Sequence, residues 1–440
     1  MTEAEIPDAG TPRDVIRARP KLSRRALLGA AAAGTAGFVV GRVAGPLYTS
    51  SRPDAPGSEA SAAMAPAVYP FFGAHQAGVS TPHQDHLHFA AFDMLERTGR
   101  HDLASLLREW SDAAARMTQG LPVRPPEARG SGPDALPDDS GEALGSPASG
   151  LTITIGLGPG LFERDGADRY GIAAARPPEL QHLPTFAGEA LAAAWSDGDL
   201  GVQVCADDPQ VAVHAVRNLS RIALGRAAIR WSQTGFAGRS KALAVQQTPR
   251  NLMGFKDGTN NILGANEDVV DQHVWLPPTS TPAWLAGGTY LVVRKVAMLL
   301  DDWDRQSVAA QEAIIGRTKA LGAPLSGGGE FTAPDFEASV GGADVIDRAA
   351  HVRLAHPSSN GGIRILRRGY NYVDGTDAEG RLEAGLLFIA YQRSPGQFIA
   401  IQHALAQDRL NPFIRQIGSA IFAVPPGASE GGFVGETLLG

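Results

Sequence analysis

Cysteine is almost absent from this chain, which contains a single cysteine, Cys205, among its 440 residues. One thiol cannot form an intrachain disulfide, and it cannot build a zinc or iron–sulfur site that needs several cysteines. The fold therefore does not depend on an oxidising compartment.

Runs of positive charge are also absent. No stretch of Lys and Arg is longer than two residues, and the formal net charge is −7. A chain of this kind cannot follow a phosphate backbone electrostatically, so nucleic acid is not an expected partner. With 43% hydrophobic and 19% charged residues, the composition is that of a folded protein with two or three domains or one large duplicated unit.

The first 62 residues differ in character from the rest of the chain. Arg24 and Arg25 precede an apolar stretch, residues 29–40, that is too short and too weakly hydrophobic for a membrane anchor. This order predicts a twin-arginine export signal, and the alternative is a chance arginine pair in a frayed terminus. Small residues around Ala63 match the cleavage rule. We therefore expect a signal peptide and linker over residues 1–62, and a protein located in the periplasm, the cell envelope or the medium.

Alternating strand and helix patterns organise the remainder. Short apolar runs predict strands at residues 151–156, 201–206, 289–294 and 386–391. Helical spacing predicts helices at residues 87–110, 209–224, 305–321 and 397–410. Residues 121–150 are rich in Pro and Gly and predict a long surface loop. Because the two halves share one order of elements, the sequence predicts an α+β fold built by internal duplication.

A glycine-bracketed acid is the first candidate for chemistry. Asp257 lies between Gly254 and Gly258 and is followed by small polar residues. On local chemistry alone this segment is a turn. The functional alternative is that the glycines allow close approach to a ligand, and that the N–H groups after Asp257 bind an anion such as a propionate.

A histidine and a distant acid form the second candidate. Most solitary histidines such as His351 are packed or solvated, but a metal-binding imidazole needs an acceptor for its second nitrogen. On the predicted helix 397–410, Asp408 shares a face with apolar residues, and a buried carboxylate needs a donor. We expect His351 to be that donor, with a salt bridge to Arg409 or Arg415 as the alternative.

Two further groups are ambiguous. Arg367 and Arg368 follow an apolar pair and would suit a strand end at the surface equally well. His83, His86 and His88 have the spacing of a metal cluster, but their segment lies at the start of the predicted helix 87–110, and they are expected to be solvated.

Together these motifs resemble those of the dye-decolourising peroxidase family. The segment Gly254-x-x-Asp257-Gly258 resembles the family signature, and HVRLA from His351 resembles its proximal haem-ligand segment. Further similar segments are FGAHQAG at residues 72–78, WSQTGF at 231–236, QE at 311–312, IGR at 315–317 and GLLF at 385–388. With the export signal, the chain is most similar to the exported branch that includes the deferrochelatase/peroxidases. The resemblance runs from Tyr69 to the C terminus.

The resemblance implies a fold and a cofactor. It implies two ferredoxin-like domains of the dimeric α+β barrel type, residues 63–236 and 237–440, each with an antiparallel sheet flanked by helices. It also implies one haem b per chain, held mainly by the second domain.

Residue roles follow from matched positions. His351 would be the axial iron ligand and Asp408 its acceptor, with Asp257 and Arg367 on the opposite, peroxide-binding side. Arg367 is preferred to its neighbour because it follows the apolar pair as the distal arginine of the family does. The remaining implied haem contacts are Gly258, Thr259, Asn260, Arg353, His356, Pro357, Ser358 and Phe388, the last of which would pack over the distal side.

The chain departs from the family pattern next to the proposed ligand. An asparagine and an arginine are common in the family where His356 and Ser358 stand here. This departure weakens the expected propionate contacts on this side, and it leaves His356 as a rival axial ligand.

The implied activity is the reduction of hydrogen peroxide with oxidation of dyes, phenols or other organic reductants through a ferryl intermediate. Asp257 would move the proton and Arg367 would stabilise the developing charge. The alternative is a deferrochelatase that releases iron from haem for iron uptake. Other implied partners are the twin-arginine export machinery, iron-uptake proteins and a second copy of the chain. Oxidation of bulky reductants at the surface through Tyr370, Tyr391 or Trp303 is a further hypothesis, with ordinary packing of these side chains as the alternative.

Overall fold

Antiparallel strands form the framework of the protein in a computed structural model. The structure describes residues 67–125, 137–238 and 248–440, all within the unit Met64–Gly440, so the predicted signal segment 1–62 lies outside the described residues. The strands are β1 (His86–Met94), β2 (Thr152–Leu157), β3 (Leu200–Ala206), β4 (Ala227–Phe236), β5 (Thr289–Met298), β6 (Ser339–Val340), β7 (Ala343–Asp344), β8 (Leu366–Arg367), β9 (Tyr370–Thr376), β10 (Leu382–Gln392) and β11 (Ile414–Val424). The α-helices are α1 (Arg100–Met117), α2 (Pro159–Phe162), α3 (Pro209–Ala223), α4 (Glu267–His273), α5 (Leu300–Asp304), α6 (Val308–Ile315), α7 (His351–Ala355), α8 (Pro395–Ala404) and α9 (Glu436–Leu439).

Eight of these strands close into a barrel. Their order is β5-β11-β2-β3-β1-β4-β9-β10, and β10 pairs again with β5. The first half of the chain contributes β1-α1-β2-β3-α3-β4 and the second contributes β5-α6-β9-β10-α8-β11, so each half is a ferredoxin-like βαββαβ unit. The halves join at two short seams, where Ala423 lies opposite Leu157 and Phe236 opposite Asn371. The predicted α+β fold of two ferredoxin-like units is confirmed.

Strands β2 and β3 are buried on both faces, and so is most of β1. On β1, Leu87, Phe89 and Ala91 face the barrel interior, whereas Ala90 and Phe92 pack outside it in the cluster that includes residues of α1 and α3. Alternate side chains of one strand therefore serve two different cores. Among the described helices, none combines the length and the apolar composition that crossing a bilayer requires.

The predicted helix over residues 87–110 is wrong in its first part. Residues 86–94 form β1, and the helix α1 follows it after a turn. A strand that is buried on both faces is apolar at consecutive positions. In β1 four of these positions also fall at i, i+3, i+4 and i+7, the spacing of a helix: Leu87, Ala90, Ala91 and Met94. His86 and His88 consequently lie on a strand, and burial lowers the pKa of His88 to about 4.

Two other predicted helices are shorter than expected. Helix α6 stops because Gly316 adopts a left-handed conformation with φ of 90° and caps the helix. Helix α8 begins after the cap Ser394 and ends at Ala404, and a 3₁₀ turn, Leu405–Gln407, follows it. Asp408 therefore lies just beyond the helix rather than on it. The described parts of the predicted loop 121–150 contain neither helix nor strand.

Candidate functional site

A cavity of about 270 Å³ opens beside the second ferredoxin-like unit. Its walls come from β5, β10 and β11, from the helices α7 and α8, and from the loop 251–260. The apolar part of the wall includes Met253, Phe255, Val296, Met298, Leu386, Phe388, Phe398, Ile401 and Leu405. Such a concave, mainly apolar surface with a few polar groups is typical of a site for a small molecule or cofactor.

A histidine–aspartate pair lies on one side of this cavity. His351 begins α7, and its Nδ1 lies 2.5 Å from Oδ2 of Asp408, whose side chain is almost fully buried. The other oxygen of Asp408 accepts the backbone N–H of Leu410 at 2.8 Å, which fixes the carboxylate. Because Nδ1 is engaged, Nε2 is the nitrogen left to meet a ligand in the cavity.

Asp408 also controls the proton affinity of this imidazole. Burial lowers the pKa of His351, but the charge and the hydrogen bond of Asp408 raise it by more, and the net pKa lies above its ordinary value. An acceptor of this kind fixes the tautomer and the orientation of a metal-binding imidazole. The alternative partners do not compete, since Arg409 pairs with Asp347 at 2.9 Å and Arg415 is exposed.

A second charged pair lies at the cavity between the loop 251–260 and β8. Arg367 donates from Nη1 to Oδ1 of Asp257 at 2.7 Å. Asn261 ties the same two segments together, because its side chain donates to the carbonyl of Arg367 at 2.7 Å and accepts its N–H at 2.9 Å. The structure thus joins two residues that are 110 positions apart in the sequence. Asn261 stands within the segment that the sequence singled out, but its role is visible only from this contact.

The neighbouring arginine points the other way. Arg368 is buried, donates to the carbonyl of Thr81 and donates to Oε1 of Gln84 at 2.6 Å. Consecutive residues of an extended segment point to opposite sides, so only Arg367 of the two reaches the cavity.

Most of the other predicted contacts also line the cavity, and two do not. The lining includes Gly258, Thr259, Asn260, His356, Pro357 and Phe388. Arg353 was expected there, but its guanidinium turns away to Asp344 Oδ2 at 3.2 Å and the carbonyl of Ile346 at 3.0 Å. Ser358 is likewise outside the lining, and its hydroxyl lies 2.8 Å from Nδ1 of His356.

His356 differs from His351 in the hydrogen-bond partner of its Nδ1 atom. The Nδ1 of His356 contacts a hydroxyl and the backbone N–H of Ser358, whereas His351 contacts a buried carboxylate. Burial lowers the pKa of His356, and nearby positive charges lower it further. Of the two rings, His351 has the surroundings expected of a metal ligand.

Positive charge dominates the polar part of the lining. Its cations are Lys256, Arg294, Arg317, Arg364 and Arg367, and its carboxylates are Asp257 and Asp408. The backbone carbonyl of Arg364 accepts from Gln397 at 2.7 Å, but its guanidinium makes no hydrogen bond or ion pair with any residue that the structure describes. Arg294 pairs with Glu189, yet its Nε is buried without a partner in the described part of the chain. The cavity therefore fits a flat apolar ring that carries carboxylates, which is the chemistry of a porphyrin with its propionates.

The surface-oxidation hypothesis fails for the residues named in it. Tyr370, Tyr391 and Trp303 are each 0% exposed. A reductant that stays at the surface cannot contact any of these three side chains. Tyr370 and Tyr391 pack in the core inside the barrel, and Trp303 packs in a separate apolar cluster.

The barrel of two ferredoxin-like units, with a cavity suited to an anionic porphyrin, defines a haem-dependent oxidoreductase. The chain matches the family models "Dyp-type peroxidase, N-terminal" over residues 76–237 and "Dyp-type peroxidase, C-terminal" over residues 248–429. It belongs to the Dyp-type peroxidase family, and it is a haem peroxidase that reduces hydrogen peroxide and oxidises organic reductants.

Named relatives span nearly the full chain. The dye-decolorizing peroxidase of Thermobifida fusca (strain YX) is 39% identical over 443 residues, which covers 95% of this chain and 97% of the relative. The deferrochelatase of Escherichia coli (strain K12) is 36% identical over 382 residues, which covers 84% of this chain and 87% of the relative. Among solved structures, a DyP-type peroxidase from Streptomyces coelicolor has 42% identity and a TM-score of 0.79, covering 85% of this chain and 97% of its own.

Proposed function

We propose that His351 would hold the haem iron through Nε2, and that Asp257 and Arg367 would act on peroxide in the same cavity. The observation that carries this proposal is the presence of two different charged pairs in one cavity. One cavity has an imidazole backed by a carboxylate at 2.5 Å and a separate carboxylate held by a guanidinium at 2.7 Å. A metal ligand and a proton-transfer pair need these two different environments.

Haem, when bound, would supply the redox chemistry of peroxide reduction. The protein then has to move one proton from the nearer peroxide oxygen to the farther one. The carboxylate of Asp257 accepts and returns that proton, and the fixed N–H groups of Arg367 stabilise negative charge on the departing oxygen. Asp408 draws on the Nδ1 proton of His351 and so makes its Nε2 a stronger donor to the iron.

The remaining haem contacts are assigned by position and charge. Thr259, Asn260, His356 and Pro357 would border the ring edge, and Phe388 would cover its distal face. Arg364, a cation without a protein partner in the described chain, would receive a propionate. This last assignment replaces Arg353, whose guanidinium is held by Asp344 and the carbonyl of Ile346.

The peroxide step tests the roles of Asp257 and Arg367. Stopped-flow absorbance of the resting haem protein mixed with hydrogen peroxide should show that Asp257→Ala and Arg367→Leu each slow the reaction by about 100-fold. Arg368→Lys is the matched control, because Arg368 is the adjacent guanidinium in the chain and faces away from the cavity. A wild-type rate in Asp257→Ala would contradict the proposed role of that carboxylate.

A second candidate activity is supported by the Escherichia coli relative, whose name is deferrochelatase. In this reading the same cavity holds haem while iron leaves it, with the porphyrin ring intact. Incubation with excess haem, followed by separate measurement of free iron and metal-free porphyrin, distinguishes the two activities. Stoichiometric appearance of both products supports iron release, and ring-opened products or no porphyrin exclude it.

We also propose export by the twin-arginine route and the domain limits 63–236 and 237–440. The arginine pair before a mild apolar segment supports the former, and the family-model ranges, which change over between residues 237 and 248, support the latter. Fractionation of cells that express the full chain should find haem-loaded protein outside the cytoplasm. Replacing Arg24 and Arg25 by Lys should retain it inside.

A further inference from the structure

Glu330 lies outside every segment that the sequence singled out, yet it contacts the loop that carries Asp257. Its Oε2 accepts from Nζ of Lys256, and its Oε1 accepts from the hydroxyl of Thr248 and, at 3.1 Å, from that of Thr259. The side chain of Glu330 is 12% exposed, so these contacts are shielded from solvent. Lys256 immediately precedes Asp257, and Thr259 follows it by two residues.

The backbone of Glu330 is itself held in place by Arg317. The backbone carbonyl of Glu330 accepts from Nη1 of Arg317 at 2.8 Å, and the same nitrogen donates to the carbonyl of Gly322 at 2.7 Å. Burial alone would raise the pKa of Glu330, but the hydrogen bonds from Lys256 and Thr248 lower it, and the net direction is downward. The group is therefore a fixed anion that joins the 326–336 segment to the Asp257 loop.

Besides the tie that Asn261 makes to β8, Asp257 has two direct supports. Its backbone N–H donates to the carbonyl of Pro249 at 2.8 Å, and its carboxylate meets Arg367. Gly258 directly after it has a φ of 135°, a region that glycine enters and leaves without steric cost. A loop with such a residue can pivot unless its flanks are anchored.

We infer that Glu330 is a positioning residue for the peroxide step, which holds the Asp257 carboxylate at its working position by anchoring the residues on both sides of it. The inference rests on the proposed role of Asp257. Glu330 acts through the loop and touches neither peroxide nor the reacting atoms. Small displacements of a reacting group cost rate steeply, since a shift of about 1 Å can lower a rate by about 100-fold.

A double-mutant cycle on the haem-loaded protein tests this inference. The measured quantity is the second-order rate constant for hydrogen peroxide, per bound haem, by stopped-flow absorbance. Glu330→Ala should lower it by about 10-fold to 100-fold, and Glu330→Gln, which keeps an oxygen for the hydroxyls of Thr248 and Thr259, should recover part of the loss. In the Asp257→Ala background, Glu330→Ala should change the rate by less than about two-fold, because the group that it positions is gone.

A purely structural role would not produce that non-additivity. Glu337→Ala, at an exposed acid seven residues further along the chain, is the matched control and should react at the wild-type rate. If Glu330→Ala fails to bind haem, the cycle is carried out with Glu330→Gln. The inference is overturned if the Glu330 variant reacts at the wild-type rate, or if it loses the same factor in both backgrounds. A wild-type rate in Asp257→Ala alone would instead overturn the proposed function, and the inference with it.

Discussion

Removing the charge behind His351 should weaken haem binding in a predictable way. Asp408 is almost fully buried, 2.5 Å from Nδ1 of His351. The substitution Asp408→Asn keeps the shape and an oxygen but removes the negative charge. Loss of such an outer partner typically costs about 10-fold to 100-fold in metal affinity or activity, which corresponds to about 1.4 to 2.8 kcal/mol.

Two measurements follow this change in Asp408→Asn. The rate of haem transfer to an excess of apomyoglobin should rise by about 10-fold or more. The iron(III)/iron(II) midpoint potential should shift upward, because a less basic imidazole stabilises iron(III) less. Asp347→Asn is the matched control, since Asp347 forms a 2.9 Å ion pair in which both side chains are 44% exposed. Exposed ion pairs contribute no more than about 1 kcal/mol to protein stability, so Asp347→Asn should have the haem-transfer rate and midpoint potential of the wild type. Unchanged haem transfer and potential in Asp408→Asn would refute the reasoning.

Three further predictions concern haem binding and stability. Arg364→Ala should speed haem transfer by about five-fold to ten-fold through loss of a propionate contact, whereas Arg348→Ala, at an exposed ion pair, should not. Stability should fall as the pH drops from 6.5 toward 4, because the unfolded chain protonates His88 before the folded one does; in urea unfolding, His88→Gln should remove about 2 kcal/mol of this loss at pH 5. In the same assay, Gly316→Ala should lower the free energy of unfolding by more than about 2 kcal/mol, because φ is 90° and an added Cβ would collide with the side chain of Val352 in α7. Gly361→Ala, with φ of 61° and open space around the added Cβ, should lower it by less.

The sequence predicted those elements whose pattern is local. Strands β2 and β3 and helix α3 fall within about one residue of their predicted ranges, because an apolar run or a capped helical period identifies each of them. Strand β1 was predicted as helix because burial on both faces removes the alternation that identifies a strand. Barrel closure is a property of pairing between distant strands, such as β5 with β10, and no local pattern encodes it.

The candidate site shows the same division. The contact of His351 with Asp408 could be anticipated, because a buried carboxylate requires a donor. The choice of Arg367 over Arg368 came from the family resemblance, and the contacts of Arg368 with Thr81 and Gln84 agree with it. Arg353 could not be excluded from sequence, since its partner Asp344 is set by the local turn before α7. Glu330 could not be found at all, because its contacts with the Asp257 loop span more than 70 residues and carry no motif.

The visible spectrum of the haem-loaded His351→Ala protein tests the central assignment most directly. The account predicts that the Soret band and the charge-transfer bands of the wild type are lost, that added imidazole restores them, and that His356→Ala keeps the wild-type spectrum. An unchanged Soret band and coordination state in His351→Ala would contradict the assignment, and a lost spectrum in His356→Ala alone would transfer the ligand role to that ring.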